Sequence, residues 1–110
     1  MALDRKKIAR DFDRAVNMAP GEIAEWLGTE QSRKVGFKTD ANGESVGHAS
    51  GRRIVKLLGK SKAELDDDDY AHMRKVVGYV KRHSAQRPEN IVTSRWRYSL
   101  MNWGHDPLKD

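Results

Sequence analysis

The sequence predicts an all-α fold: a compact single-domain bundle of about five helices over residues 1–110, with a Gly-rich loop at about 35–47. Three observations lead there. Apolar residues recur at i, i+3, i+4 and i+7 in several separate segments, the spacing that puts them on one face of a helix. Those segments are bracketed by residues that start and stop helices, among them Pro20, Asp66, Gly28, Gly59 and Gly104. With 110 residues, 37% of them apolar and 34% charged, the chain supports one modest core, and no linker, repeat or low-complexity run divides it.

The first helix runs from Asp4 to Asn17, with Ile8, Phe12, Ala15 and Val16 on one face and Lys6, Arg10, Asp13 and Arg14 on the other. Pro20 suits the first position of a second, short helix in which Ile23, Trp26 and Leu27 share a face, and Gly28 ends it. "TEQSRK" allows a further turn, and "VGFKTDANGESVG" then reads as loop, its Asn42-Gly43 pair able to turn a small hairpin about Phe37. The third helix carries Ile54, Leu57 and Leu58 inward, with Gly51 on the same side leaving room for another backbone. Ser45 or Ser50 caps its start, and Gly59 helps end it.

"KAELDDDDYAHMRKVVGYVKRH" has the clearest local grammar. Asp66 is the N-cap, Asp67 to Asp69 fill the first turn where the helix dipole favours negative charge, and Leu65 is placed to staple against Tyr70. Capping explains all four aspartates, so no metal site is assigned to them. Met73, Val76, Val77 and Val80 form the inward stripe, and Pro88 enforces an end. In the last helix, from about Ser94 to Trp103, Trp96, Leu100 and Trp103 fall at i, i+4, i+7, which makes both tryptophans core anchors rather than platforms for stacking bases. Gly104 then serves as C′ residue and Pro107 prevents continuation.

The absence of cysteine excludes disulfides, thiolate zinc sites and Cys nucleophiles, so a metal could be held only by His and carboxylates. No apolar run has the length of a signal peptide or a membrane span, and the expectation is a soluble, cytoplasmic protein. Net charge is +5 and unevenly placed: the segments Met1–Gly43, Glu44–Asp69 and Tyr70–Asp110 carry +1, −1 and +5. The excess lies in the last third, which favours an anionic partner.

On a helical wheel Arg74, Lys75, Lys81 and Arg82 lie opposite the valine stripe, with Ala71 and Gly78 between them as a low, bare centre. Glycine inside an exposed helix costs about 0.8–1 kcal/mol against alanine. Either another helix crossing at Gly78 or a phosphate backbone approaching it would offset that cost. His72, Tyr79 and His83 follow the border between stripe and basic face, and the two histidines are too far apart in sequence to share an ion unaided. In the last helix Arg95, Tyr98, Ser99 and Asn102 lie away from the tryptophans, with Arg97 at the border; Arg95 has Asp106 or the aspartate run as alternative partners. "GHASGRR" offers Arg52, Arg53, a hydroxyl and free N–H groups at a helix start, which suit an anion or simply cap the helix. It lacks the glycine spacing and lysine of a P-loop. His48 and Ser50 diverge on a helix and make no catalytic pair.

The strings "GESVGHASGRRIVKLL", "DDDDYAHMRKVVGYVKRHSAQRP" and "SRWRYSLMNWGHDPLK" resemble a family of small, mainly bacterial proteins filed as a domain of unknown function, whose members are often labelled DNA-binding. The resemblance runs from about Phe12 to Lys109 and implies one compact unit associated with DNA. It transfers no catalytic or binding residues. One departure is Ala19, where a Thr or Ser would cap the second helix.

The reading that results is a non-catalytic, nucleic-acid-associated protein, with DNA ranked ahead of RNA as its ligand, contacting phosphates through Arg74, Lys75, Lys81, Arg82, Arg87, Arg95 and Arg97, with Arg52 and Arg53 as additions. No cofactor, metal or membrane is expected. The helices are not spaced as a helix-turn-helix, because the gap from Gly59 to Asp66 exceeds that motif's short turn. The alternative is a protein-interaction or scaffolding module without a nucleic-acid ligand, docking at the "VGFKTDANGESVG" loop.

Overall fold

A computed structural model describes residues 4–36 and 44–109. Six α-helices occupy them: α1 Arg5–Ala15, α2 Pro20–Leu27, α3 Glu30–Lys34, α4 Val46–Leu58, α5 Asp67–Ser84 and α6 Arg95–Asn102, with a short 3₁₀ turn at Lys62–Glu64 before α5. The fold is all-α, and among the described residues there is no strand. No helix among them is long and apolar enough to cross a membrane.

Local chemistry accounts for the helix boundaries. Asp4, Thr29, Ser45, Asp66 and Ser94 each accept a backbone N–H of the following turn, so five of the six N-termini have a side-chain cap. The sixth is α2, where Ala19 has no side chain to offer. There Glu22 reaches back and accepts the Ala19 N–H at 2.9 Å, and Pro20 removes one donor that would otherwise need a partner. Of the two serines competing for the start of α4, Ser45 is the cap. Gly104 takes φ +78°, the left-handed C′ conformation that ends α6.

The expected all-α bundle is present, and the further turn allowed by "TEQSRK" closes as a sixth, short helix between the Thr29 cap and Val35. One boundary is corrected. The loop expected at 35–47 ends earlier, since Val46 and Gly47 already belong to α4; its Phe37–Gly43 part, including the hairpin turn, lies outside the described residues.

The helices assemble as two pairs, α1 on α5 and α2 on α4, tied together by α6, which touches α2, α3, α4 and α5. One continuous core results. Ile8 and Phe12 of α1 meet it beside Tyr70, Met73, Val76 and Val80 of α5. Ile23, Leu27, Ile54 and Leu57 come from the other pair, and Trp96, Leu100 and Trp103 come from α6 and its C-cap. The chain after α6 folds back on the link between α1 and α2: Gly104 O accepts Asn17 and Met18 N–H, and Asn17 exchanges two hydrogen bonds with the Asp106 backbone at 3.0 and 2.8 Å.

At the centre of the α2–α3–α6 contact sits a fully buried asparagine. Asn102 Oδ1 accepts the Trp26 indole N–H at 2.8 Å and the Ser32 hydroxyl at 2.5 Å, and its Nδ2 donates to Ser32 O at 3.0 Å. The expectation that Asn102 faces outward with Arg95 is therefore corrected: this polar residue is a core hub. It also explains α3, whose one buried residue is Ser32.

α4 crosses α6 at Gly51, where a Cβ would stand 2.5 Å from Asn102 O and 2.7 Å from Leu27 Cδ2. The close backbone approach read from the sequence is present. Gly51→Ala is expected to destabilise by about 1–3 kcal/mol through overpacking against a carbonyl that cannot retreat, lowering Tm by roughly 5–15 °C. A thermal melt followed by circular dichroism checks it.

Candidate nucleic-acid interface

α5 is the element that organises the site. Asp66 and Asp69 form a reciprocal capping box, Asp69 N–H to Asp66 Oδ1 at 2.8 Å and Asp66 N–H to Asp69 Oδ2 at 3.2 Å. The acidic first turn and the Lys81, Arg82 and His83 of the last turn both complement the helix dipole. Asp69 is also met by Lys60 at 2.8 Å and Arg53 at 3.5 Å, and Lys60 together with the Asp66 N–H holds its carboxyl below the usual range. Asp66 and Asp69 are thus taken up by capping, Asp69 and Asp67 by ion pairs, the latter with Arg5, and no metal-binding group of three side chains exists among the described residues.

With Met73, Val76 and Val80 turned into the core, the opposite side of α5 forms one wall of a groove of about 720 Å³, and α1 forms the other. Arg74, Lys75, Lys81 and Arg82 line it, all exposed, with Ala71 and Gly78 between them. None of the four is ion-paired to a described residue. α1 contributes Lys7, a fifth cation that sequence reasoning missed. No local signal marks Lys7, because its membership depends on how α1 packs across α5.

α1 also brings Asp4 and Asp11 to the groove. Asp4 is engaged as the α1 cap, and Asp11 lies 4.0 Å from Arg10. Five cations against two carboxylates leave the groove electropositive. Gly78 is half-buried, and the atom nearest to where its Cβ would stand is Arg82 Nη1, at 3.0 Å. Among the described residues no other helix crosses there; the guanidinium two residues before the end of α5 folds back over the bare position. Because only that flexible tip must move, Gly78→Ala is expected to raise stability by up to about 1 kcal/mol, the helix-propensity difference, as measured by urea denaturation.

The remaining five predicted cations lie elsewhere. Arg87 follows α5, its guanidinium carbon 6.0 Å from the centre of the Trp96 ring. Arg95 donates to Lys34 O at 3.1 Å, tying α6 to the end of α3. Arg97 is a structural ion-pair residue: its Nε and Nη2 each meet Asp106 at 3.1 Å and its Nη1 donates to Val92 O at 2.8 Å. Burial opposes the charge on Asp106, but Arg97 and the Leu108 N–H hold its carboxyl below the usual range. The partner weighed for Arg95 thus belongs to Arg97.

Arg52 is occupied by Glu44 at 2.8 and 2.5 Å, a pairing that keeps the Glu44 carboxyl low. Arg53 turns to Asp69. The cap of α4 is Ser45, ahead of "GHASGRR", and within the string both arginines meet carboxylates. His48 sits between the Glu44 carboxylate and Leu27 O, while Ser50 Oγ lies 2.9 Å from His72 Nε2, so the two side chains diverge as expected.

His72, Tyr79 and His83 do follow the border of α5, where they stack on the tryptophans of the α6 segment. The Tyr79 ring is 4.3 Å from that of Trp103 and 5.1 Å from that of His83, His72 is 6.3 Å from Trp103, and His83 is 6.4 Å from Trp96. Neither Trp96 nor Trp103 is open to a base, since both are buried.

Burial, reinforced by the positive field of Arg53 and Lys75, lowers the pKa of His72 from 6.5 to about 4, with Asp69 opposing. Between those values the unfolded chain binds a proton that the folded chain refuses. Stability is therefore full above pH 6.5 and falls as the pH drops towards 4. On going from pH 7 to about 4.5 the His72→Gln variant is expected to lose about 2 kcal/mol less than the parent, read from paired denaturation curves.

A family model described as "Protein of unknown function (DUF3140)" matches residues 11–101. No curated protein and no solved structure matches the chain.

Proposed function

The chain belongs to that family of unknown function, DUF3140, and we propose that it is a non-catalytic nucleic-acid-binding protein that grips phosphates in the α1–α5 groove. One observation carries the reading. Arg74, Lys75, Lys81 and Arg82, joined by Lys7, converge on a single groove without ion-pair partners among the described residues. Unpaired cations in a row neutralise phosphates with release of counterions, and that exchange supplies the binding free energy.

DNA is the preferred ligand, in line with the labels carried by the small, mainly bacterial proteins that the chain resembles, and the setting is the cytoplasm. Contacts to phosphates position a strand without reading its bases, so recognition is mostly independent of sequence. Arg87 and Arg95 extend the surface, while Arg52, Arg53 and Arg97, already facing carboxylates, add less. A salt titration against duplex DNA, single strands and RNA tests the proposal. About four to five engaged phosphates give a slope of log K against log salt of about −4 on duplex DNA. A slope near zero would remove the groove from consideration.

A protein partner is the second reading, favoured by Asp4 and Asp11 on the α1 wall, which would repel a polyanion and suit a peptide of mixed charge. Purified protein with an absorbance ratio free of nucleic acid, together with a flat salt titration, selects it.

A further inference from the structure

A second, smaller cleft of about 360 Å³ opens between α4 and α5, on the far side of Lys75, which lines both cavities. Three observations converge on it. The first is an indole N–H without a partner. Trp26 donates to Asn102 and Trp96 donates to His83 O at 2.6 Å, but the Trp103 Nε1 has no hydrogen-bond acceptor among the described residues, although Trp103 is only 4% exposed and lines this cleft. Gly47 keeps that nitrogen clear, since a Cβ there would stand 2.9 Å from it.

The second is the pair of cations at the mouth. Lys75 has no ion-pair partner among the described residues. Arg53 leans on Asp69 at 3.5 Å, but Asp69 is held more closely by Lys60 at 2.8 Å, so Arg53 can turn into the cleft without stranding a carboxylate. The third is that the one acidic residue lining the cleft, Glu44, is already committed to Arg52 and His48. An unpartnered indole N–H at the cleft wall, flanked by two cations and with the local carboxylate engaged, suits an oxyanion.

We propose that the α4–α5 cleft binds a phosphate group, held by Arg53, Lys75 and the Trp103 indole N–H. The proposal goes beyond the groove and does not depend on it, because a free phosphate would fill the cleft whether or not a strand lies along α5. Ser50 and His72 line the cleft as a neutral hydrogen-bonded pair. They are no hydrolytic dyad: a histidine held near pKa 4 is a poor general base at neutral pH.

The test is a nuclear magnetic resonance titration of the full chain with inorganic phosphate at constant ionic strength, following the three indole N–H signals and the His72 ring. The expected result is a saturable shift of the Trp103 signal with a dissociation constant of about 1 mM or tighter. A rise of the His72 pKa accompanies it, as a bound anion offsets the field of Arg53 and Lys75. Trp26 and Trp96, whose indoles are satisfied, stay in place and report an intact fold. Arg53→Gln weakens the shift about tenfold, whereas Arg74→Gln with Lys81→Gln leaves it unchanged.

An unmoved Trp103 signal, an equal response to chloride, or full phosphate affinity in a folded Arg53→Gln variant would overturn the proposal. An oligonucleotide bearing a terminal phosphate, compared with its unphosphorylated twin, distinguishes the sources. Tighter binding of the former identifies a strand end, and equal binding identifies a free small phosphate. Loss of DNA binding with the Trp103 shift retained would count against the groove alone.

Discussion

Replacing Asn102 with Leu is expected to destabilise the fold by about 3–5 kcal/mol, enough to shift a chain of ordinary stability towards the unfolded state at about 37 °C. The substitution keeps the branching and the number of side-chain heavy atoms, so lost packing is not the main cost. Three groups lose their partners at once: the indole N–H of the half-buried Trp26, and the buried Ser32 hydroxyl and carbonyl. Each buried polar group left unsatisfied costs about 1–3 kcal/mol, and the sum is moderated where Ser32 can turn towards another acceptor.

Asn102→Asp separates hydrogen bonding from shape. It keeps the acceptor for Trp26 and Ser32 but loses the donor to Ser32 O, and it buries a charge or shifts to the protonated acid. Urea denaturation ranks the variants. An Asn102→Leu protein as stable as the parent would mean that the hub contributes no net stability.

Reversing three groove charges, with Arg74→Glu, Lys75→Glu and Arg82→Glu together, is expected to weaken duplex DNA binding by at least about 100-fold and to abolish retention in a gel shift. Three phosphate contacts are lost, and three repulsions replace them. The salt slope is expected to shrink by about 3, which a fall in affinity from misfolding would not produce in this graded form. All three positions are exposed and unpaired to the described residues, so the melting temperature should move little. The matching control reverses Arg97, whose guanidinium serves Asp106 and Val92 O; there the expected loss is one of stability.

The two results rest on features of different legibility. The basic row of α5 is readable because capping, dipole placement and the valine stripe all agree on one helix and one outward face. Periodicity likewise places Trp96, Leu100 and Trp103 inward, and the bare Gly51 announces a close crossing.

Asn102 is not readable in that way. A lone polar side chain on a short helix looks like surface until its partners arrive from Trp26 and Ser32, far away in the chain. The same contact stabilises α3, a five-residue helix whose polar sequence has no periodicity of its own. Lys7 escapes for a related reason, since membership of a groove is a property of two packed helices. The exchange of partners between Arg95 and Arg97 turns on the tight turn after α6, where Gly104 brings Asp106 back alongside Arg97. Wheel geometry stops at the last helical residue and cannot follow that reversal.

The walls of the α1–α5 groove come from widely separated stretches of the polypeptide, Lys7 from one and Lys81 from the other. The concentrated positive field is thus a property of the native state alone, because in the unfolded ensemble the same charges are dispersed along a solvated coil. A polyanion that filled the groove would draw the conformational equilibrium towards the folded chain by mass action, so that recognition and thermodynamic protection would be one event.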